Sequence, residues 1–335
     1  MSLPSLPSLP SLPSIQRVFL ESVASSDPEG RFVEVDNILT YYKVAIPQHQ
    51  YHNSQNYYPS INEQNKPVIL CLHQFMGCLY TWRFQMQSLA DATGCHVVAY
   101  DRPAYGFTER PTQWEENKNP YTSEFLVEFT VQFLRVIGYG EKKIIFIGCS
   151  IGPTISCAVA LKYPHLVHSI IMLGPSLKID DQGPPPVARF ILGSLPGRLY
   201  LKAALYRNFP LTVLYHDVNT VPEWESVVKP CYRVPLTLPN FYEGVSWAMK
   251  YFVPLEVMNY KSFLQQYPIC YVCGDDDKYT NVDRHREVYS ELLLGAPPNA
   301  LTEFHVLESC GHIPQDEKPE EVLNLCINFI KRTGV

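Results

Sequence analysis

A serine flanked by glycines lies where an apolar strand pattern gives way to a helical one. The run Gly148-Cys149-Ser150-Ile151-Gly152 follows a strand candidate at 143–147 and precedes a helix candidate at 154–163. At such a bend the serine hydroxyl is raised above the sheet, and the glycines let strand and helix approach without Cβ clashes. The pattern indicates Ser150 as a nucleophile, with a tight turn as the alternative. Cys149, whose side chain should point away from the apex, is interpreted as a buried thiol.

A serine nucleophile needs a base that works near neutral pH, and histidine is the obvious candidate. Three histidines follow residue 266: His285 in a helix candidate, His305 inside a strand candidate, and His312 just beyond that strand. A residue that follows a strand reaches the same edge as the bend at Ser150, so His312 is the predicted base. The imidazole in turn needs a carboxylate, and Asp275–Asp277 offer three. Because buried like charges oppose one another's ionisation, at most one should enter the site.

Strand and helix candidates alternate around these residues, which predicts a mainly parallel sheet flanked by helices, an α/β fold. The strand candidates are 68–72, 96–100, 143–147, 169–173, 269–272 and 303–307, preceded by one or two strands within 31–44. The helix candidates are 81–92, 123–137, 154–163, 282–294 and 319–331. The alternation stops from about residue 178 to 266, which predicts a helical cap. We therefore expect a core at 30–177 and 263–335, a cap at 178–262, and a disordered tail at 1–29.

Four further motifs make the chain resemble the α/β-hydrolase superfamily, in particular its capped esterase and lipase-like branch. They are Leu72-His73-Gln74-Phe75-Met76-Gly77 for the H-G-x-x-G loop, Asp101-Arg102-Pro103-Ala104-Tyr105-Gly106 for D-x-x-G-x-G, Gly274-Asp275-Asp276-Asp277 for G-x-x-D, and Gly311-His312-Ile313-Pro314 with Glu317-Lys318-Pro319-Glu320 for the ending. Nucleophile, acid and base occur in the family's order, Ser, Asp, His. The resemblance spans nearly the whole chain after about residue 29.

The resemblance assigns roles that the residues alone leave open. It implies Asp277 as the acid that orients His312, and the N–H groups of Phe75 and Ile151 as oxyanion donors. It implies loop support for His73. Gln74 stands where the family usually has glycine, so it either strains the loop, offers its amide to a substrate, or occupies a backbone position open to any residue.

Composition limits the classes of partner. The chain has 335 residues, 46% of them hydrophobic, with a net charge of -6 and a pI of about 5.9. Such a chain can bury a large core and has no basic field for nucleic acid. The ten cysteines are scattered, and Cys270 and Cys273 should point to opposite faces of one strand, which argues against a redox or zinc pair.

Targeting signals are weak. Ser-Leu-Pro occurs four times from Ser2 to Pro13, and proline at every third position is incompatible with a helical signal peptide. The uncharged stretch 144–161 is interpreted as strand, turn and helix, so no integral membrane span is expected. No N-x-S/T sequon occurs, and we expect a cytoplasmic protein. The sequence leaves the oligomeric state open.

The predicted function is serine ester hydrolysis without a cofactor or metal, on a hydrophobic small molecule or lipid. The many aromatic residues within 178–266 favour an apolar substrate. Epoxide hydrolases and dehalogenases of this superfamily have aspartate in place of Ser150. Carbon–carbon bond hydrolysis, thioester cleavage, perhydrolysis and a receptor with little turnover remain alternatives, as does an interaction protein recruited through the tail.

Overall fold

The computed structural model describes residues 27, 29–51, 66–177, 194, 196–197, 199, 210–252 and 261–335. The Ser-Leu-Pro repeats lie outside the described residues, as does part of the segment predicted to form a cap. The domain boundaries at 29, 177 and 262 therefore stay predictions.

One sheet organises the described part of the chain. Its strands are β1 (Arg31–Val35), β2 (Ile38–Ala45), β3 (Val68–Leu72), β4 (Val97–Tyr100), β5 (Ile144–Cys149), β6 (Val167–Leu173), β7 (Ile269–Gly274) and β8 (Thr302–Leu307). They lie in the order β1-β2-β4-β3-β5-β6-β7-β8. Only the pairs β1–β2 and β2–β4 are antiparallel. The predicted mainly parallel sheet is confirmed.

Helices connect the strands. The α-helices are α1 (Gln48–Tyr51), α2 (Met86–Thr93), α3 (Ser123–Val136), α4 (Gly152–Lys162), α5 (Lys229–Arg233), α6 (Phe241–Tyr251), α7 (Lys261–Leu264), α8 (Val282–Leu293), α9 (Pro314–Glu317) and α10 (Pro319–Arg332). The predicted helix at 81–92 is a 3-10 turn, Leu79–Trp82, followed by α2. Other short turns are Pro164–Leu166, Pro210–Leu214, Val218–Thr220, Val234–Thr237 and the π-helical turn Trp224–Val228.

The two faces of the sheet are covered by different helices. Side chains alternate along a strand, so Ile145 and Ile147 of β5 face one side and Phe146 the other. The first side packs against α2 and α10, through residues such as Leu89 and Phe329. The second packs against α3, α4 and α8. Burial on both sides explains why the central strands β3 and β4 are apolar on both faces, whereas the edge strand β8 is half-buried and contains Glu303 and His305.

The described residues between β6 and β7, 210–252, pack against the sheet domain. Tyr215 and Tyr232 are buried in the same cluster as β5 and α10. Residues from Leu236 to Ala248 form a second cluster with Ala104, Tyr105 and Tyr121. Tyr215 and Tyr232 therefore belong to the main core.

The cysteines follow the sequence prediction. All ten are described and free, and nine are buried. Cys270 and Cys273 lie on opposite faces of β7. Within the described residues, no helix combines the length and the apolar character needed to cross a membrane.

Candidate functional site

The predicted site residues meet at the carboxyl edge of the parallel strands, where ligands bind in open α/β sheets. Ser150 follows β5 directly and has φ +57°, in the left-handed region that a non-glycine residue rarely adopts. Its N–H donates to Leu173 O at 2.9 Å, which fixes the bend against the end of β6. The side chain is buried in a tight turn whose strain is compensated by these surroundings.

The two glycines around Ser150 permit this bend. A Cβ on Gly148 would lie 2.6 Å from Pro153 N, and one on Gly152 would lie 2.5 Å from Leu72 O. Real Cβ atoms essentially never show such short contacts, so a larger residue at 148 would force β5 and α4 apart, and one at 152 would force α4 away from the end of β3. The sequence motif therefore reflects a steric requirement of the strand–helix junction, as predicted.

Ser150, His312 and Asp277 form one continuous hydrogen-bonded chain. Ser150 Oγ lies 2.9 Å from His312 Nε2, and His312 Nδ1 lies 2.7 Å from Asp277 Oδ2. The carboxylate can only accept, so Nδ1–H donates to it and Nε2 is left to accept the serine proton. All three side chains are buried. This arrangement can transfer a proton from the hydroxyl to the imidazole.

The three consecutive aspartates separate as expected. Asp277 is buried, Asp275 is exposed, and Asp276 is half-buried. Asp275 accepts from Cys310 N–H, and Asp276 lies 2.8 Å from His216 Nδ1 at the surface. Only Asp277 reaches His312.

Asp277 is bound more tightly than the sequence suggested. Its Oδ1 accepts the N–H groups of Tyr279 and Thr280, both at 2.9 Å. Its Oδ2 accepts from His312 and, at 3.1 Å, from His285 Nε2. Burial raises the pKa of Asp277, but the hydrogen bonds from His285 and His312 outweigh it and hold the pKa well below its usual value. The carboxyl group is therefore ionised in the folded protein.

The contact between His285 and Asp277 was not predicted from the sequence. His285 lies within α8, as predicted, but on the buried face with Val288 and Leu292. A polar side chain on an apolar helix face requires a buried partner, and this was the available signal. His285 Nδ1 also lies 2.8 Å from the Tyr271 hydroxyl on β7.

The backbone of His312 is held by the segment before α5. Its N–H donates to Leu214 O at 2.7 Å. Gly311 allows this approach, since a Cβ there would lie 2.6 Å from Leu214 O and 2.7 Å from His216 N. The Glu317 carboxylate adds a second tie, because it accepts from the N–H groups of both Gly311 and His216.

The two predicted oxyanion donors are available for a ligand. Phe75 occupies a turn closed by the bond from Gly77 N to Gln74 O at 3.1 Å, and Ile151 caps α4. Among the residues that the structure describes, neither N–H donates to another protein group. Both follow the carboxyl ends of neighbouring strands, β3 and β5.

Gln74 does not strain the loop, because its φ is negative; Met76 takes the left-handed conformation in this turn instead. The Gln74 amide donates to the Tyr232 hydroxyl, and its Oε1 is buried without a partner among the described residues. The Tyr232 hydroxyl also lies 3.4 Å from Asp316 Oδ2. Gln74 therefore joins the loop that contains Phe75 to the segment 210–252.

Asp316 is the centre of this buried network. Its carboxylate accepts hydrogen bonds from Arg83 Nη1 at 2.6 Å, the Tyr215 hydroxyl at 3.0 Å and the Thr81 hydroxyl at 3.1 Å. Tyr215 belongs to the segment after β6, whereas Arg83 and Thr81 precede α2. The carboxylate thus joins three distant parts of the chain beneath the site.

His73 and Asp101 brace the neighbouring loops. Arg102 donates its N–H to His73 Nε2 at 3.1 Å and a guanidinium N–H to His73 O at 2.8 Å. Burial, assisted by the Arg102 charge, holds the pKa of His73 well below its usual value. Asp101 accepts from Leu79 and Phe107 N–H groups, and burial raises its pKa to about 6 against the effect of these bonds.

Two nearby groups complete the surroundings of Ser150. Ser176, which the sequence analysis did not single out, places Oγ 3.1 Å from Ser150 Oγ. It follows β6, the parallel neighbour of β5. Cys149 is fully buried, with Sγ 3.8 Å from His312 O, and burial raises the pKa of its thiol. It is a protonated core residue, as predicted.

Among the described residues, one group of side chains has metal-ligand spacing. Cys270, Glu303 and His305 bring their ligand atoms within 4.8 Å of one another on β7 and β8. Both carboxylate oxygens of Glu303 already accept from Arg332, at 2.8 and 2.7 Å. The group lies apart from Ser150.

Comparison with known proteins gives consistent results. The chain is similar to epoxide hydrolase 3 of Xenopus tropicalis, with 23% identity over 82% of this chain and 74% of that protein. It superposes on the enol-lactonase from Burkholderia xenovorans LB400 with a TM-score of 0.66 and 18% identity, over 90% of this chain and all of that one. A meta-cleavage product hydrolase from Pseudomonas fluorescens IP01 gives 0.61, also at 18% identity, over 90% and 98% of the two chains.

The order of the strands, the bend at Ser150 and the motifs at the strand ends agree with a direct family match. The family model described as alpha/beta hydrolase fold covers residues 67–319, which includes every strand of the sheet from β3 to β8. This chain belongs to the alpha/beta hydrolase fold family.

Proposed function

We propose that this protein is a serine hydrolase that cleaves carboxylic esters of hydrophobic small molecules or lipids. The observation that supports it is the hydrogen-bonded chain from Ser150 Oγ through His312 to Asp277, at 2.9 and 2.7 Å. Nucleophile, base and orienting acid are the three parts that acyl transfer by serine requires.

The reaction proceeds in two halves. Ser150 Oγ attacks the ester carbonyl carbon while its proton passes to His312 Nε2. The N–H groups of Phe75 and Ile151 donate hydrogen bonds to the oxyanion that forms. His312 then gives the proton to the leaving alcohol, which leaves an acyl group on Ser150. Water, deprotonated by His312, attacks this acyl group, and the bond to Ser150 Oγ breaks as His312 returns the proton to that oxygen, which releases the acid and restores the enzyme. Asp277 stays ionised and stabilises the imidazolium formed in each half.

An apolar substrate is favoured by the surroundings of Phe75. Phe75 and Met76 pack on the cluster that contains Tyr105, Phe241 and Val245. This cluster places hydrophobic side chains from 210–252 beside the proposed oxyanion donor. Small-molecule sites are commonly lined in this way, with few polar groups to fix orientation.

Epoxide hydrolysis, despite the similar relatives, does not suit Ser150. Attack by a serine oxygen on an epoxide carbon would give an ether, which has no carbonyl for water to attack. Aspartate gives an ester, which water can cleave. The nucleophile therefore favours substrates with a carbonyl, among which thioesters and the ketones of carbon–carbon bond hydrolysis remain alternatives.

The test is a panel of chromogenic acyl esters of graded chain length, with matched thioesters, assayed with wild type, Ser150→Ala and Ser88→Ala. Ser88 is an exposed serine on α2 and serves as the control. Ser150→Ala should lower kcat by about 10⁴-fold or more, while Ser88→Ala retains activity. Equal activity in wild type and Ser150→Ala would refute the proposal. Tight binding with no turnover would instead favour a receptor.

A further inference from the structure

We infer that His285 and Tyr271 are positioning residues that hold the Asp277 carboxylate in place, an inference that rests on the proposed serine mechanism. Together they extend the hydrogen-bonded chain to five side chains: Ser150, His312, Asp277, His285 and Tyr271.

The contact between His285 and Asp277 is fully buried. Both side chains have zero exposed surface. His285 Nε2 and His312 Nδ1 approach the same oxygen, Asp277 Oδ2, at 3.1 and 2.7 Å. Since that oxygen can only accept, both ring nitrogens must present a proton to it. One carboxylate oxygen of Asp277 thus accepts hydrogen bonds from two imidazole rings.

Tyr271 is the hydrogen-bond partner of the other ring nitrogen of His285. Its hydroxyl lies 2.8 Å from Nδ1. Burial raises the pKa of Tyr271 well above its usual value, so the hydroxyl keeps its proton and is able to donate to Nδ1. A neutral imidazole that accepts at Nδ1 must hold its proton on Nε2, facing Asp277.

The remaining nearby groups do not compete for Asp277 Oδ2. Oδ1 is occupied by the N–H groups of Tyr279 and Thr280. Cys273 is near both Asp277 and Tyr271, but burial raises its pKa to about 12, so it stays neutral. Asp275 and Arg286 act on this region only from exposed positions.

The consequence concerns the strength of the acid–base pair. Donation from His285 removes some negative charge from Oδ2, so the carboxylate stabilises the His312 imidazolium less strongly than it would alone. It also prevents rotation of the carboxylate away from His312. Loss of the donor should therefore lower kcat and move the acid limb of the kcat/KM profile to higher pH.

The experiment compares His285→Leu, His285→Gln, Tyr271→Phe and the control Tyr289→Phe in the ester assay across pH. The ring of Tyr289 lies 5.6 Å from that of Tyr271, between centroids, and is outside the five-residue chain. His285→Leu should lower kcat by about 10-fold with little change in KM. Losses of about this size follow the removal of residues that orient a functional side chain by a hydrogen bond, as in metal sites. The midpoint of the acid limb of the kcat/KM profile of His285→Leu should move to higher pH by about half a unit or more. His285→Gln, whose amide can donate from the position of Nε2, should recover most of kcat.

Tyr271→Phe should give a smaller loss of kcat than His285→Leu, because His285 Nδ1 loses its partner while Nε2–H still donates to Asp277. Tyr289→Phe should match wild type. An unchanged acid limb in folded His285→Leu, or equal loss in the Leu and Gln variants, would overturn the inference while the serine mechanism stands.

A second measurement needs no turnover. In protein labelled with ¹⁵N-histidine, the resonance that disappears in His285→Gln should show a proton on Nε2 and a bare Nδ1. A proton on Nδ1 would overturn the inference whatever the esterase result. If wild type cleaves no ester, the proposed function fails, and the tautomer still decides whether Tyr271 and His285 are arranged as stated.

Discussion

Ser176 and Ser150 place their hydroxyl oxygens 3.1 Å apart. Two hydroxyls at this distance raise the question of which one attacks. Only Ser150 has the left-handed backbone of the bend, and its Oγ lies 2.9 Å from His312 Nε2. Because the Ser150 hydroxyl donates to His312 Nε2, its oxygen can accept a hydrogen bond from the Ser176 hydroxyl. Ser176 thus holds the proposed nucleophile through a second hydrogen bond.

Ser176→Ala is therefore expected to lower kcat/KM by about 10-fold or less, because it removes one hydrogen bond to Ser150 Oγ, on which negative charge develops during the attack. Ser150→Ala should abolish labelling by a fluorophosphonate probe, whereas Ser176→Ala should leave it intact. Mass spectrometry of the labelled peptide checks the site. A probe attached to Ser176 would reverse the assignment.

His73 should make the fold sensitive to acid. Its pKa is held well below the usual value in the fold and returns to about 6.5 in the unfolded chain. The unfolded state then binds more protons, so the stability due to neutral His73 is present above about pH 6.5 and is lost as pH falls below it. Between pH 7.5 and 5.5 the loss is about 1.4 kcal/mol.

His73→Gln should lose less stability over the same interval, by about that amount. Urea unfolding of both proteins at the two pH values measures the difference. Identical pH dependence in wild type and variant would show that the ring is protonated as readily in the fold as in the unfolded chain.

Gly311→Ala should weaken both stability and activity. The added Cβ would meet Leu214 O and His216 N, so the segment must shift and the bond from His312 N–H is stretched. Overpacking of this kind costs about 1–3 kcal/mol. Gly244→Ala in α6 is the control, since the nearest contact of its added Cβ is 3.3 Å, to Arg110 Cγ, and no backbone atom lies closer than 3.4 Å. Thermal unfolding and the ester assay should show a loss in Gly311→Ala alone.

Asp316 should be essential to stability. Asp316→Ala leaves the Arg83 guanidinium without its 2.6 Å partner in a largely buried position, which costs about 3–5 kcal/mol. In the double variant with Arg83→Met the loss should be smaller than the sum of the two single losses, because no buried charge is left unpaired. Strict additivity in urea unfolding would show that the two groups act independently.

The sheet and its helices were predictable because their signals are local. Strands such as Val68–Leu72 are apolar on both faces, and the intervening helices have a periodic apolar face. The Ser150 bend was predictable because two glycines and a strand–helix change occur within a few residues. The start of α2 was misplaced because Trp82 is buried by a 3-10 turn, whose apolar spacing resembles that of a helix.

The residues that were missed depend on distant pairing. Ser176 lies 26 positions from Ser150 and meets it only because β5 and β6 are parallel neighbours. Tyr215 and Tyr232 meet Asp316 from 101 and 84 positions away. His285 was set aside as a helix residue, since the pattern identifies its buried face and leaves its partner open.

The bond from His312 N–H to Leu214 O restricts how this enzyme family member can be re-engineered. Substrate preference could be altered by replacing residues 210–252 with the segment of another protein. Such a graft would leave the bend at Ser150 unchanged. The graft would still have to supply a carbonyl opposite Gly311 and a hydroxyl for Gln74. A chimera that lacks these two groups would have new substrate contacts and also a displaced His312 ring. Substrate preference and catalytic rate would therefore change together.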